Sequence, residues 1–283
     1  MDEATVAIIK GDNPVNMVIE ALEMIKADGA FRADERILIK PNYIDASHPS
    51  TGVTTDARVV EGIVKFLKEK GLNNIVIGEG SGLSDTMRAF ETAGIDKVAS
   101  RWKVDLMDLN DDEYVIADVP SPLALKIVRI AKTALNSTII SVPKLKLHRM
   151  AGVTLSLKNM MGVVSPKGQI HRSLSKKIAD LVSLVKPRLA VIDGIIGGEG
   201  HELAKKPVEM NLVIAGLDPV AVDTVGAAVM DFNPKKAEHL TLAAKKGLGI
   251  CDLDKIRVLG EPIEKVKKRF KPSFSMRILS RFA

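Results

Sequence analysis

Short runs of β-branched residues alternate along the chain with longer segments in which apolar residues recur at helical spacing. Such alternation is typical of an α/β fold, in which a mostly parallel sheet carries helices on both faces. The pattern predicts strands at residues 6–9, 37–40, 75–77, 137–142, 189–192 and 212–215. It predicts helices at residues 15–27, 55–71, 84–93, 173–185 and 219–230.

The clearest predicted helix follows Thr55, which we expect to be its N-cap, and stops at Gly71. Residues 104–130 are harder to assign because four aspartates precede two short β-like runs. We expect this segment to be an irregular insertion or a β-ribbon. A single α/β domain over residues 1–264 accommodates all of these elements.

Composition is that of an ordinary globular protein, with 46% hydrophobic and 27% charged residues in 283. No apolar run reaches the roughly 18 residues of a membrane span, and the amino terminus lacks a signal-peptide layout. We therefore expect a cytoplasmic protein without a transmembrane segment. The single Cys251 excludes an internal disulfide and an iron-sulfur cluster held by several thiolates of this chain.

The net charge of +6 arises from a basic amphipathic tail at residues 265–283, which has seven Lys or Arg and no acid. The remaining residues carry 34 basic and 35 acidic side chains. Apolar residues interleave with the tail cations, a pattern that favours docking on the body or a homo-oligomer contact over an anionic surface. A nearly neutral body with 4% aromatic residues argues against nucleic-acid binding.

The most unusual stretch, residues 142–171, places several cations between apolar residues and glycines. If residues 141–148 are extended, Lys144, Lys146 and His148 project from one face and the intervening leucines from the other. Like charges about 7 Å apart repel by roughly 0.6 kcal/mol in water and about 2.4 kcal/mol at an effective dielectric near 20. An anion should therefore lie there, either a protein carboxylate or a phosphorylated or carboxylated ligand. Further polar residues of this stretch are Lys158, Asn159, Lys167 and His171.

Polar residues also follow several predicted strands, where ligands bind in open α/β sheets. Lys40 and Asn42 end one strand, and the backbone amides near Thr55 are a potential anion cradle. Glu79 follows another strand in a glycine turn and could pair with a lysine, hold a metal or act as a base.

Two later segments carry carboxylates. A glycine-rich loop is expected to hold Asp193, Glu199, His201 and Glu202. Asp218 is expected to cap the helix beginning at Pro219, with Asp223 one turn inward, facing the site or solvent. The HExxH and GxSxG motifs are absent, and the glycines at 78–82 match neither nucleotide-binding fingerprint.

These segments together resemble the domain-of-unknown-function family 362. The segments that carry the resemblance are IKPN, TGVTTD, VIGEGSG, VPKLKLHRMAGVTLSLKNMMGVV, VIDGIIGGEG and AGLDPVAVD. The family pattern falls on Lys40, Asn42, Thr55, Lys144, Lys146, His148, Lys158, Asn159, Asp193, Glu199, Asp218 and Asp223. The family has no established activity, so the resemblance implies a fold rather than a reaction.

Some members of that family are joined to ferredoxin-like iron-sulfur modules, which implies a redox connection for part of it. This chain departs from those members because it has one cysteine. A separate redox partner would have to supply any cluster.

Our leading hypothesis is a cytoplasmic enzyme that acts on a small anionic metabolite held by Lys144, Lys146 and Lys158. His148 would act as acid or base, opposed by Asp193 or Glu199. The candidate catalytic residues are His148, Lys158, Asp193 and Glu199. The candidate ligand-binding residues are Lys40, Asn42, Thr55, Glu79, Lys144, Lys146, Asn159 and His171. The reaction stays open between proton abstraction, group transfer and cofactor-assisted redox, and no particular cofactor is predicted.

Two alternatives belong to other classes. One is a metal-dependent enzyme with ligands drawn from His148, His171, His201, Asp193 and Glu199, although their dispersed spacing is weakly informative. The other is a non-catalytic binding or scaffold protein that docks an iron-sulfur partner through its basic tail.

Overall fold

The computed structural model describes residues 3–170 and 172–273, and its central feature is a ten-stranded sheet. The strands of the chain, including a separate two-stranded ribbon, are β1 (Ala4–Lys10), β2 (Ile37–Pro41), β3 (Ile75–Glu79), β4 (Asp105–Asp108), β5 (Tyr114–Asp118), β6 (Ile127–Ala131), β7 (Thr138–Val142), β8 (Lys144–His148), β9 (Gly152–Thr154), β10 (Leu189–Glu199), β11 (Lys206–Gly216) and β12 (Ile256–Gly260). All six strands predicted from the sequence are present.

The main sheet has the strand order β12-β1-β11-β10-β7-β2-β3-β4, with β8 attached to β10 and β9 attached to β8. The neighbours from β10 through β7, β2 and β3 to β4 are all parallel, whereas β11 runs antiparallel to both β1 and β10. The carboxyl ends of β2, β3 and β7 therefore meet at one edge, as expected of a mostly parallel α/β sheet.

Ten α-helical segments occur in the described ranges: α1 (Pro14–Met24), α2 (Ala57–Glu69), α3 (Thr86–Ala93), α4 (Ile95–Trp102), α5 (Lys132–Leu135), α6 (Ser156–Asn159), α7 (Leu174–Leu184), α8 (Pro219–Val229), α9 (Glu238–Lys245) and α10 (Ile263–Val266). They include the five predicted helices. Within this part of the chain, no helix combines the length and apolar character needed to cross a bilayer.

Helices pack on both faces because successive strand residues point to opposite sides. Ile8 and Leu38 lie in a core with the apolar faces of α7, α8 and α9. Their neighbours Ile9 and Ile39 lie in a second core with α1 and α2. The predicted arrangement of helices on both faces is confirmed.

The start of α2 corrects one expectation. The N-cap is Asp56, whose Oδ1 accepts a hydrogen bond from Arg58 N at 2.9 Å, and not Thr55. The Thr55 hydroxyl instead donates to the Val142 carbonyl at 2.8 Å and accepts from Asn42 N at 2.9 Å. Thr55 therefore ties the loop to the ends of β2 and β7.

The segment at residues 104–130 is only partly a ribbon. β5 and β6 form the expected antiparallel ribbon, with Tyr114 opposite Ala131. Asp105–Asp108 instead adds to the edge of the main sheet, parallel to β3. β4 lies at the edge of the sheet, where charged side chains are common, and Asp105 is exposed there.

Residues 193–199 form the second half of β10. The prediction of a glycine-rich loop is therefore wrong at these positions. The strand continues to Glu199, which lies opposite Lys206 of β11. Glycine serves close packing here, because a methyl group at Gly198 would overlap the Gly52 carbonyl oxygen.

The first part of the basic tail lies against the body. Phe270 is buried, Gly200 N donates to Lys271 O at 3.0 Å, and Ser273 N donates to Gly200 O at 2.9 Å. Residues 274–283 lie outside the described part of the chain.

Candidate functional site

A cavity of about 350 Å³ opens beside the carboxyl ends of β2 and β3. It lies where parallel strands of an open α/β sheet deliver ligand-binding residues. The lining residues with polar side chains are Lys40, Asn42, Tyr43, Glu79, His148, Arg149, Thr154, Lys158, Asn159, Lys167 and Glu202.

The floor of the cavity contains a buried ion pair between Lys40 and Glu79, with Nζ 2.6 Å from Oε1. Lys40 Nζ also donates to Asn159 Oδ1 at 3.2 Å and to the Pro41 carbonyl at 3.1 Å. Glu79 accepts from Tyr43 N at 2.9 Å and from Gly80 N at 2.8 Å. Burial lowers the pKa of Lys40, and Glu79 opposes that shift. The pairing of Glu79 with a lysine, one of its predicted roles, is therefore present.

Lys144, which does not line the cavity, forms a second ion pair. Its Nζ lies 2.6 Å from Asp193 Oδ2, and both side chains are fully buried. Asp193 also accepts from the backbone amides of Asp56 at 2.7 Å and Ile195 at 2.9 Å. An internal carboxylate thus supplies the anion expected at the start of α2.

Lys146 and His148 follow Lys144 on the same side of β8, while Leu145 and Leu147 enter an apolar core, as the alternation predicts. Lys146 is fully buried and donates to the Val53 carbonyl at 2.6 Å. Burial, together with the nearby Lys158, lowers the pKa of Lys146 to about 7.

His148 lines the cavity as a neutral imidazole. Its Nδ1 accepts from the backbone amides of Met150 at 3.2 Å and Ala151 at 3.1 Å. Burial and then the Lys158 charge hold the pKa of His148 well below its usual value. Because Nδ1 accepts, the ring proton lies on Nε2, which makes His148 a hydrogen-bond donor.

Lys158 differs from the other lysines of this region. It is half-buried at the cavity wall, and its Nζ makes no hydrogen bond or ion pair with any residue in the described ranges. Burial lowers the pKa of Lys158 to about 8, with Glu202 raising and Lys40 lowering it. The hydroxyl of Thr154, buried at the same cavity, likewise has no partner among the residues described.

Asp223 fixes the turn that presents Lys158. Its two carboxyl oxygens accept from Ser156 N at 2.7 Å and Leu157 N at 2.9 Å, at the start of α6. The side chain is fully buried and faces neither the cavity nor solvent. Asp218 caps α8 as predicted, accepting from Val220 N at 2.9 Å and Ala221 N at 3.0 Å.

Three charged residues of the cavity wall had no role predicted from the sequence. Arg149 and Glu202 pair at 3.0 Å, and Lys167 Nζ donates to Asn110 Oδ1 at 2.7 Å. Lys167 lies in the lysine-rich stretch at residues 142–171, and this position could have identified it as a site residue. Arg149 and Glu202 are 53 residues apart, and only the fold pairs them.

The remaining candidates lie elsewhere. Glu199 Oε2 accepts from Lys271 N at 2.9 Å, and His201 Nδ1 accepts from Leu203 N at 3.2 Å. Neither side chain lines the cavity, and His171 lies outside the described residues. Across residues 3–170 and 172–273, no three His, Cys, Asp or Glu side chains converge as a metal site would require.

The structure therefore sorts the predicted residues into two groups. The residues that line the cavity are Lys40, Asn42, Glu79, His148, Lys158 and Asn159. The residues that do not line it are Thr55, Lys144, Lys146, Asp193 and Glu199.

The comparisons with known proteins place the chain in a family. The model of the family described as Domain of unknown function (DUF362) matches residues 37–228, and the chain belongs to that family. This range contains every residue that lines the cavity. The chain is also similar to the thylakoid-associated protein sll1697 of Synechocystis sp., with 24% identity over 241 residues, 81% of this chain and 73% of that protein. No solved structure matches the chain significantly.

Proposed function

We propose that this protein is a cytoplasmic enzyme that binds a small dianionic metabolite, carboxylated or phosphorylated, in the cavity beside β2 and β3. The observation that carries the proposal is the Lys158 ammonium, which lines the cavity without a hydrogen-bonding or ion-pairing partner among the residues described. Burial has removed part of the hydration of this ammonium group. A bound anion would replace the lost water contacts with a charge-assisted hydrogen bond and so stabilise the group.

The charge balance of the lining supports a ligand with two negative charges. Lys40 is balanced by Glu79, and Arg149 is balanced by Glu202. Lys158 and Lys167 are then the cations of the lining without a paired carboxylate in the described ranges. A dicarboxylate or a phosphate monoester complements two such charges.

Neutral polar groups would orient the ligand. The buried Thr154 hydroxyl and Asn42 Oδ1 have no partners among the described residues. His148 lines the same cavity and its Nε2–H would donate to the ligand, so its role in this proposal is hydrogen bonding rather than proton abstraction.

Calorimetry with succinate and inorganic phosphate tests the proposal. Lys158→Met should weaken binding roughly tenfold or more, since a charge-assisted hydrogen bond contributes about 1.5–3 kcal/mol. Lys176→Met, which removes an exposed lysine of α7, is the matched control and should bind as the wild type does. Equal affinity in the wild type and Lys158→Met, or no binding of either anion at millimolar concentration, would end the proposal.

A further inference from the structure

We propose that Lys158 is a nucleophile and that the substrate is a carbonyl compound bearing a carboxylate or phosphate, which the Lys158 amine captures as an imine. This inference rests on the proposed function and names the substrate class for the same site.

The first support is that Lys158 Nζ has no hydrogen-bond acceptor among the residues described. An amine whose nitrogen is tied to an acceptor as an ammonium ion cannot attack a carbon atom. Three other lysines of the region are tied in this way, Lys40 to Glu79, Lys144 to Asp193 and Lys167 to Asn110. Lys146, whose pKa is also lowered, donates to Val53 O and does not line the cavity. Lys158 alone among these five lines the cavity without an acceptor in the described part of the chain.

The second support is that the backbone on both sides of Lys158 is held in place. Asp223 binds the two amides that precede it, at Ser156 and Leu157. Asn159, the next residue, donates to the Lys40 carbonyl at 2.9 Å and accepts from Lys40 Nζ. A nucleophile needs such support to hold its geometry.

Burial also increases the fraction of Lys158 that is present as the neutral, nucleophilic amine. It lowers the pKa of Lys158 to about 8, so about half of the amine is neutral at pH 8. An ordinary lysine, with a pKa of about 10.4, is less than about 1% neutral at that pH. Desolvated lysines of this kind are the ones that form Schiff bases.

The step balances with the groups present. The amine nitrogen forms a bond to the carbonyl carbon, and one nitrogen-bound proton moves to the oxygen to give a carbinolamine. The carbon–oxygen bond then breaks, and the oxygen leaves as water with the second nitrogen-bound proton. The product is an imine, and no oxidant or reductant is consumed. Thr154 and His148 line the cavity as hydrogen-bond donors for the oxygen, while Lys167 complements the acid group of the substrate.

Reductive trapping tests the inference. The full-length protein is treated with pyridoxal 5′-phosphate, an aldehyde that carries a phosphate, and with sodium cyanoborohydride, and the labelled lysines are mapped by mass spectrometry. Label at Lys158 should exceed label at the exposed Lys176 roughly tenfold, because burial raises the neutral fraction of the Lys158 amine and the cavity lining holds the phosphate of the reagent. Pyridoxal without the phosphate should label Lys158 less.

Lys158→Arg is the matched variant because it keeps the positive charge and cannot form an imine. It should bind inorganic phosphate and lose the enriched label. If this variant does not fold, protection of the wild type replaces it: excess inorganic phosphate should reduce label at Lys158 and leave Lys176 unchanged.

The possible outcomes separate the two proposals. Phosphate binding that depends on Lys158, without enriched label there, overturns the imine inference and leaves the proposed function standing. Absence of both phosphate binding and enriched label overturns both. Label spread evenly over surface lysines, unaffected by inorganic phosphate, also overturns the imine inference.

Discussion

The buried carboxyl group of Asp223 accepts a hydrogen bond from the backbone N–H of Ser156, 2.7 Å away, and so holds the turn that carries Lys158. No cation pairs with Asp223 among the residues described, and burial raises the pKa of its carboxyl to about 8. The group is therefore protonated in the folded protein at a pH where it is ionised in the unfolded chain.

This shift predicts a pH-dependent stability. A carboxyl whose folded pKa lies above its unfolded value stabilises the fold at low pH, and this contribution is lost as the pH rises towards 8. Between pH 4 and pH 8, the free energy of unfolding of the wild type should fall relative to that of Asp223→Asn by up to about 1.4 kcal/mol per pH unit. Urea unfolding of both proteins across this range measures the difference. A constant difference would show that Asp223 is ionised in the fold.

The Lys144–Asp193 pair predicts a strong energetic coupling. Lys144→Met leaves a buried carboxylate without its cation and should destabilise the fold by about 3–5 kcal/mol. The double variant Lys144→Met/Asp193→Leu should lose less than the sum of the two single variants. A double-mutant cycle in urea measures the coupling, and additive losses would contradict a paired interior.

Gly162 should tolerate no side chain. A methyl group there would overlap Glu79 Oε1 and Lys40 Nζ. Gly162→Ala should therefore cost about 1–3 kcal/mol of unfolding free energy and weaken anion binding.

The control for Gly162→Ala is Gly168→Ala, in the 3₁₀ helix Lys167–Ile170, where an added Cβ meets no atom within 4 Å. We expect this variant to stay within about 0.5 kcal/mol of the wild type. Equal thermal stability of the two alanine variants would contradict the close approach of Gly162 to the ion pair.

Anion binding should depend on pH through Lys158. The ammonium that binds the anion is lost as the pH rises through about 8, so the affinity for succinate should fall above that pH by up to tenfold per pH unit. Succinate stays doubly ionised above pH 8, so a fall in its affinity would be due to a group on the protein. Between pH 8 and pH 9, Lys158→Arg should lose less affinity than the wild type, because a guanidinium group does not titrate in this range. An identical decline in both proteins would assign the pH effect to another group.

The sequence predicted the fold well because hydrophobic periodicity encodes which face of an element is buried. Ile8 and Ile9, adjacent in sequence, lie in opposite cores, and this alternation is visible without coordinates. The glycines at 194–198 led to the wrong prediction of a loop, since glycine is typical both of a loop and of a closely packed strand. Only the contact of Gly198 with Gly52 distinguishes the two cases.

The candidate site was predictable as a region but not as a set of partners. The Lys144–His148 alternation correctly marked a polar face, and an internal carboxylate was among its expected anions. Which lysine would be neutralised depends on residues distant in sequence, since Asp193 reaches Lys144 across 49 positions and Glu79 reaches Lys40 across 39. That Lys158 lacks such a partner in the described ranges emerges only from the packing.

A crystal structure of the protein soaked in inorganic phosphate shows whether Lys158 binds an anion. We expect a phosphate in the cavity beside β2 and β3, with one oxygen about 2.7–2.9 Å from Lys158 Nζ. A structure in which Lys158 pairs with an internal carboxylate, while phosphate binds elsewhere or not at all, would contradict this expectation.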